Sequence, residues 1–238
     1  MNRLFNYFHP LTRVTRERKK YLEQGNIPKL LATLIEKPSP DLADKAEDLD
    51  YLVLDLETTG LDSEHDLILS MGWVIVSNNR IDLATCQHLY INSDSQVNPE
   101  TAVINHITPQ MLVEGVSIHD GVLALLEAIE GRVLVAHGCM VETQFLNRYI
   151  RENYHVSDAP FLWLDTLCIE KKLAMAINNQ EDLSLLLSAT RERYNLPEYN
   201  SHNALVDAVS TAELLLAQQK RISPSEGVNF SHLYRLSN

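Results

Sequence analysis

From residue 51 onward the apolar positions of this chain fall into short runs separated by turn residues, and the period of each run names an element. Tyr51-Leu52-Val53-Leu54 is a continuous apolar stretch that meets a carboxylate at Asp55, the pattern of a buried strand reaching its end. Apolar-rich stretches at 67–77 and 81–91 flank Ser77-Asn78-Asn79-Arg80, whose paired asparagines are hairpin-turn residues. Val133-Leu134-Val135-Ala136 reads as a fourth strand, and Phe161 to Leu164 as a short fifth. Helical spacing of apolar residues recurs over 120–129, 142–150, 166–176, 182–193 and 203–220. A three-strand meander followed by alternating strands and helices predicts an α/β fold with a mixed sheet flanked by helices.

Before the first strand the pattern changes. Residues 1 to about 37 read as one or two short helices, in which Leu11, Val14 and the basic cluster Arg16, Arg18, Lys19 and Lys20 precede the apolar run Ile27 to Ile35. Pro38-Ser39-Pro40 and the acidic stretch Asp41 to Asp50 read as a linker. The expected division is a helical N-terminal extension with its linker over 1–48, a main domain over 49–222 and a C-terminal tail over 223–238.

Composition narrows the class. A chain of 238 residues that is 45% hydrophobic can bury one substantial core plus an appendage. Cys86, Cys139 and Cys168 show no paired spacing, so neither a disulfide framework nor a zinc site is indicated. There is no apolar run of about 18 residues for a membrane span, and the polar start does not suit a signal peptide. A cytoplasmic, reducing setting is expected. The net charge of −12 is unevenly divided: residues 1–40 carry 8 Lys/Arg against 3 Asp/Glu, and residues 41–238 carry 12 against 29, nets of +5 and −17. Affinity for long nucleic acid comes mostly from basic residues that neutralise phosphates. The main body has no basic stripe to supply it.

Two clusters carry the candidate chemistry, Asp55-Leu56-Glu57-Thr58-Thr59-Gly60-Leu61 and His202-Asn203-Ala204-Leu205-Val206-Asp207. Asp55 and Glu57, two apart on a strand, point to one face. With 32 acidic residues, chance alone supplies roughly four acid-x-acid triplets. The weight therefore comes from context: the pair ends an apolar strand, precedes a Thr-Thr-Gly turn, and is answered by a His and an Asp five apart at a helix start. Hard carboxylate oxygens at an open strand end suit divalent cations, and the set reads as a two-metal phosphodiesterase site.

On these residues the chain resembles the DnaQ-like 3′→5′ exonucleases, in the subgroup named for Asp-Glu-Asp-Asp plus a catalytic His. The resemblance covers roughly residues 49–220 and implies an RNase H-like fold with a mixed five-stranded sheet flanked by helices, preceded by the helical N-terminal extension. It assigns Asp55, Glu57 and Asp207 to the metal ions, two of Mg²⁺ or Mn²⁺, and His202 to the general base. The family's second motif, His-Asn-Ala-x-Phe-Asp, corresponds here to His137-Gly138-Cys139-Met140-Val141-Glu142, so Glu142, one methylene longer than the usual Asp, is the expected remaining metal ligand. Thr58, Thr59, Gly60 and Leu61 are the implied substrate contacts. The stretch from Asn98 to Leu112 resembles the family loop ending His-Gly-Ile-Thr and adds His106. Asp165 reads as a helix N-cap with Thr166, and His137 and the cysteines as packing.

The implied function is metal-dependent 3′→5′ hydrolysis of single-stranded or short DNA or RNA oligonucleotides to nucleoside monophosphates. Three alternatives stay open: a catalytically weakened exonuclease fold serving as a partner module, a proofreading or repair subunit acting with a polymerase, and a metal-dependent phosphoesterase for a non-nucleic ligand. A second copy or a protein partner could dock through residues 1–40.

Overall fold

In the computed structural model, which describes residues 8–92, 107–178, 183–200 and 202–238, the first strand divides its side chains between two cores. Along β1 (Tyr51–Thr58) Leu52, Leu54 and Leu56 enter one hydrophobic cluster, and Tyr51 and Val53 enter another on the opposite face. This is the period-two split of a strand covered on both sides. β2 (Ile68–Ser77) and β3 (Arg80–Tyr90) pair antiparallel as a meander, while β4 (Val133–Ala136) and β5 (Trp163–Asp165) run parallel to β1, giving the order β3-β2-β1-β4-β5. Asn78 and Asn79 both take positive φ, 51° and 58°. That is the type I′ geometry that matches the strand twist of a two-residue hairpin.

Helices cover both faces. α1 (Pro10–Leu22) and α2 (Lys29–Glu36) precede the sheet, followed by α3 (Pro109–Val113), α4 (Ile118–Ile129), α5 (Met140–Tyr154), α6 (Thr166–Asn178), α7 (Leu187–Arg193), α8 (Ala204–Ile222) and α9 (Phe230–Leu236). Leu125 and Leu126 of α4 and Phe145 and Ile150 of α5 pack on the Leu52 face; Ile169 of α6, Leu215 of α8 and Phe230 of α9 pack on the Tyr51 face. Among the described residues no helix is long and apolar enough to cross a membrane.

The terminal segments share these cores. Tyr21, Leu31, Leu34 and Ile35 join the Leu52 cluster and Leu11 the Tyr51 cluster. Arg18 donates to the carbonyls of Leu34, Ile35 and Lys37, supplying partners for the C-terminal carbonyls of α2. The stretch between α2 and β1 contains a 3₁₀ turn at Ala46–Asp48, with Ala46 fully buried. The residues after α8 fold into α9, and His9 Nε2 lies 3.0 Å from the Ser231 carbonyl oxygen. α7 starts at Leu187, later than the apolar spacing over 182–193 predicts, because the backbone at Leu186 is still extended (ψ 145°). Of the expected helix, residue 182 lies outside the described residues.

One close approach positions everything that follows. A Cβ added at Gly72 of β2 would lie 2.1 Å from the backbone nitrogen of Leu205 and 2.2 Å from the carbonyl carbon of Ala204. The N-terminus of α8 therefore rests directly on the strand, and only a residue without a side chain permits it. Gly72→Ala must push α8 off the sheet. It is expected to cost about 2 kcal/mol or more, measured by denaturant unfolding, and to weaken Mn²⁺ binding. Unchanged stability in this variant would refute the packing argument.

Candidate active site

Asp55 and Glu57 continue the face of β1 that begins with Tyr51 and Val53, and a bulge between Glu57 and Thr58 ends the regular pairing. Bulges at such places re-aim side chains. Asn203 caps α8, its side chain accepting from the Val206 backbone N–H at 3.1 Å, and this fixes the first turn in which Asp207 lies. Carboxylate oxygens of Asp55, Glu57 and Asp207 come within 4.8 Å of one another. Among the described residues this is the set arranged to hold a metal ion.

The electrostatics favour a cation there. Burial, then the charges of Glu142, Asp207 and Glu57, raises the Asp55 pKa well above the carboxylate range. Burial with the Asp207 charge pushes Glu57 up to about 7, and burial raises Asp207 as well. Groups gathered against both desolvation and mutual repulsion are stabilised by a positive charge among them. Three hard oxygen donors at an accessible strand end fit a divalent cation of the magnesium or manganese kind.

Glu142, in the first turn of α5, lies outside this three-residue set but beside it. Its side chain is buried, its Oε2 has no protein hydrogen-bond partner, and burial with the charge of Asp165 pushes its pKa up to about 8. Backbone N–H groups of Leu56 and of Glu142 itself donate to the carboxylate and oppose that rise. α5 is aimed by Asp165: Oδ1 accepts from the Leu167 backbone at 2.9 Å, the expected N-cap of α6, and from Gly138 N at 2.9 Å, while Oδ2 accepts from Cys139 N at 3.2 Å. One carboxylate thus joins the starts of two helices. His137 packs between Thr166 Oγ1 at 2.9 Å and the Leu185 carbonyl at 2.7 Å.

His202 is exposed on the loop before α8 with φ at 67°, a left-handed conformation uncommon outside glycine and asparagine. Its backbone N–H donates to Asp207 Oδ2 at 2.9 Å, so the histidine loop is tied to a carboxylate of the metal set. Behind it, buried Arg191 bonds Glu213 at 2.7 Å and the Pro197 carbonyl at 2.8 Å, and Tyr199 donates to Glu213 at 3.0 Å. These bonds anchor the loop between α7 and α8.

The turn after β1 is held from within. Thr58 Oγ1 donates to the Gly60 carbonyl at 2.6 Å, and Thr59 Oγ1 donates to Asp66 Oδ1 at 2.8 Å. A Cβ at Gly60 would meet the Asp66 carboxylate at 2.5 Å, so a side chain there must displace the group that holds Thr59 Oγ1 and the Asp62 backbone N–H. Leu61 projects into solvent, 73% exposed. His106 lies outside the described residues. Residues the sequence reading passed over also matter here: Gly72 under α8, and Ser70 and His88, which line a cavity of about 370 Å³ beside Glu57 and His202. A glycine inside a strand pattern was the available signal for the first. Ser70 and His88 carry no such signal.

The raised carboxylates make the metal-free protein pH-sensitive in a defined sense. A carboxyl whose folded pKa exceeds its unfolded value contributes stability that is present below the unfolded pKa and is lost as pH rises through the folded one, here the interval up to about 7 for Glu57 and about 8 for Glu142. The melting temperature in chelator should fall between about pH 5 and about pH 8, and Mn²⁺ should restore it most at the upper end. Asp55→Asn should raise the metal-free melting temperature at the upper end and abolish the Mn²⁺ effect. A metal-free protein that grows more stable over this interval would contradict the assignment.

Residues 52–215 match the model of an exonuclease family of RNase T type. The 3′-5′ exonuclease DinG of Staphylococcus haemolyticus is 30% identical over 187 residues, 79% of this chain and 20% of that protein. The PolC-type DNA polymerase III of Thermotoga petrophila is 29% identical over 171 residues, 71% of this chain and 12% of the polymerase. The chain therefore spans about a fifth or less of the length of these curated relatives. Among solved structures, E. coli exonuclease I in complex with a dA16 oligonucleotide aligns with a TM-score of 0.62 at 15% identity, over 79% of this chain and 42% of that one. Exonuclease X in complex with 5′ overhanging duplex DNA aligns with a TM-score of 0.56 at 19% identity, over 77% of this chain and 99% of that one. At such identities the two structures bear on the fold, which is RNase H-like. The family match begins in the strand that carries Asp55 and ends in the helix that carries Asp207, and on it the chain belongs to the DnaQ-like exonuclease family.

Proposed function

We propose that this chain is a 3′→5′ exonuclease that hydrolyses the terminal phosphodiester of single-stranded or short oligonucleotides with two divalent cations, Mg²⁺ or Mn²⁺. The observation that carries the reading is the meeting of Asp55, Glu57 and Asp207 within 4.8 Å, with the His202 loop bonded to one of them. Asp55, Glu57 and Asp207 would hold the first cation, and Glu142, whose Oε2 has no protein partner, would serve the second together with Asp55. When bound, the cations neutralise the phosphate charge and acidify the attacking water. His202 accepts the water's proton, and its exposed loop gives the imidazole room to reach it. Because its own N–H is bonded to Asp207, base and metal ligand keep a common frame. The unneutralised carboxylates would repel a phosphate, so activity requires metal.

Substrate class follows from charge. The −17 balance of residues 41–238 disfavours an extended phosphate chain, leaving local contacts at the 3′ end to do the binding. Thr58, Thr59, Gly60 and exposed Leu61 are the proposed contacts there, with His106 from the following loop. The +5 segment of residues 1–40 is the proposed docking surface for a second copy or a protein partner. It belongs to an extension over 1–48 that precedes an exonuclease unit over 49–222. Three free thiols suit a reducing, cytoplasmic setting. The PolC-type relative favours a second reading, removal of mismatched 3′ ends beside a polymerase. Faster hydrolysis of a mismatched than of a matched primer end would support it.

The test is Mn²⁺-dependent, stepwise shortening from the 3′ end of 5′-labelled DNA and RNA of about two to twenty nucleotides. Asp55→Asn and Asp207→Asn should each lower turnover at least about 1000-fold in folded protein, since the site loses a ligand carboxylate. His202→Asn, which tolerates the left-handed backbone, should lower it about 100-fold while leaving Mn²⁺ binding intact. A short single strand should be degraded faster than long duplex at physiological salt. Retained turnover in Asp55→Asn would reject the two-metal reading.

A further inference from the structure

The parallel strands have a second end. At the start of β1, about 16 Å back along the strand from Asp55, lies another cavity, of about 300 Å³, the lower end of the range of small-ligand sites. One wall belongs to the body: Ile129 and Arg132, where α4 passes into β4, and Phe161 before β5. The other belongs to the extension: Arg18 of α1, Lys37 at the end of α2, and Ser39 of the linker. No residue lines both this cavity and the one beside Glu57.

Its charges balance, Arg18, Lys37 and Arg132 against Asp41, Asp44 and Asp50, and several are already committed. Arg18 is spent on the carbonyls that end α2 and on Ser39 Oγ at 2.7 Å, Lys37 pairs with Glu130 at 2.6 Å, and Asp44 Oδ2 accepts from Asp41 N at 2.8 Å. Arg132 differs. Its Nη1 donates to the Ala128 carbonyl at 2.9 Å and the Glu130 carbonyl at 3.3 Å, which orients the guanidinium at the end of α4, yet its Nε is buried without a hydrogen-bond partner in the protein. Nε lies on the edge by which a guanidinium grips a carboxylate or phosphate through two parallel bonds. A buried donor left unpaired is unfavourable. The edge therefore calls for an anion, and no carboxylate of the cavity is bonded to it.

The rest of the lining decides what carries the anion. Asp41 and Asp50 accept hydrogen bonds and repel a bare anion, so the ligand must bring donors together with its acid group. Leu34, Ile129, Phe161 and Leu162 offer it an apolar surface. A balanced lining does not suit a polymer, whose phosphates need surplus basic charge. We propose that this cavity is a second ligand site, at the opposite end of β1 from the metal carboxylates, that takes a nucleoside 5′-monophosphate, with the phosphate on the Nε edge of Arg132 and hydroxyl or amino donors on Asp50. Such a molecule combines one phosphate, several donors and a flat heterocycle. The choice of ligand rests on the exonuclease reading, because the mononucleotide is the product of that reaction. Since extension and body build one wall each, an occupied cavity ties the two together.

Calorimetry on the full chain in chelator, where the metal carboxylates stay unneutralised and repel phosphate, would compare the four deoxynucleoside 5′-monophosphates with inorganic phosphate. Wild type should bind at least one nucleotide, one per chain, about tenfold or more tighter than inorganic phosphate. Arg132→Lys keeps the charge and loses the paired donors, and should weaken the nucleotide about tenfold or more. Asp50→Ala should weaken it about threefold to tenfold without weakening inorganic phosphate, and serves if the Arg132 variant misfolds. Asp207→Asn, at the other end of the sheet, should leave nucleotide affinity unchanged. Absence of nucleotide binding in chelator, phosphate bound as tightly as the nucleotide, unchanged affinity in Arg132→Lys, or lost affinity in Asp207→Asn each overturns the assignment. Dinucleotide hydrolysis by wild type with Mn²⁺ separates the two readings: hydrolysis without binding in chelator defeats this proposal alone, and binding without hydrolysis defeats the exonuclease reading and leaves the site.

Discussion

The structure is organised around an unfavourable act, the gathering of Asp55, Glu57, Asp207 and Glu142 where burial and like charge raise their pKa values. Nothing local holds such groups together. They are held because each stands at the end of an element anchored in a hydrophobic core: β1 by clusters on both its faces, α8 by Ala212 and Leu215, α5 by Phe145 and Ile150. Core burial supplies a large favourable term spread over many side chains, and a few kcal/mol of it suffice to oppose the repulsion at the site. The excess negative charge is then the source of affinity for cations.

Within that frame, backbone contacts set the geometry. Gly72 lets the helix of Asp207 descend onto the strand beside Asp55, and the bulge after Glu57 turns the chain into the Thr-Thr-Gly loop. Asp165 joins the starts of α5 and α6 through one carboxylate, so the helix of Glu142 is aimed from the neighbouring strand. Arg148 of α5 donates to the Asp66 carbonyl at 3.0 Å and binds the turn after β1 to the same helix. Such shared supports keep side chains within the small displacement that catalysis tolerates.

The terminal segments are part of this economy of burial. Tyr21, Leu31, Leu34 and Ile35 are buried against the body, and Ser237 Oγ accepts from Asp165 N at 2.7 Å. The C-terminal helix therefore reaches the residue that aims α5. The opposite charges of residues 1–40 and the rest of the chain add an attraction that salt screens, but the apolar contacts do not depend on it.

Much was legible in the amino-acid order alone, because it rests on local regularities. Period-two alternation in Tyr51 to Glu57 places both acids on one face whatever the strand packs against, Asn78-Asn79 demands a tight hairpin, and helical spacing marks the cores of α4, α5, α6 and α8. The Asn203-Ala204 context between His202 and Asp207 marked a helix start, although the bond from the His202 backbone to Asp207 is a tertiary detail. Only the folded chain decided that Gly72 lies under Leu205, that Asp165 serves two helices, that Ser70 and His88 share a cavity, and that the terminal helices complete the cores. Each of these is a meeting of residues distant in sequence, and pairing of that kind is set by sheet register and close packing, which no local pattern of polar and apolar positions encodes.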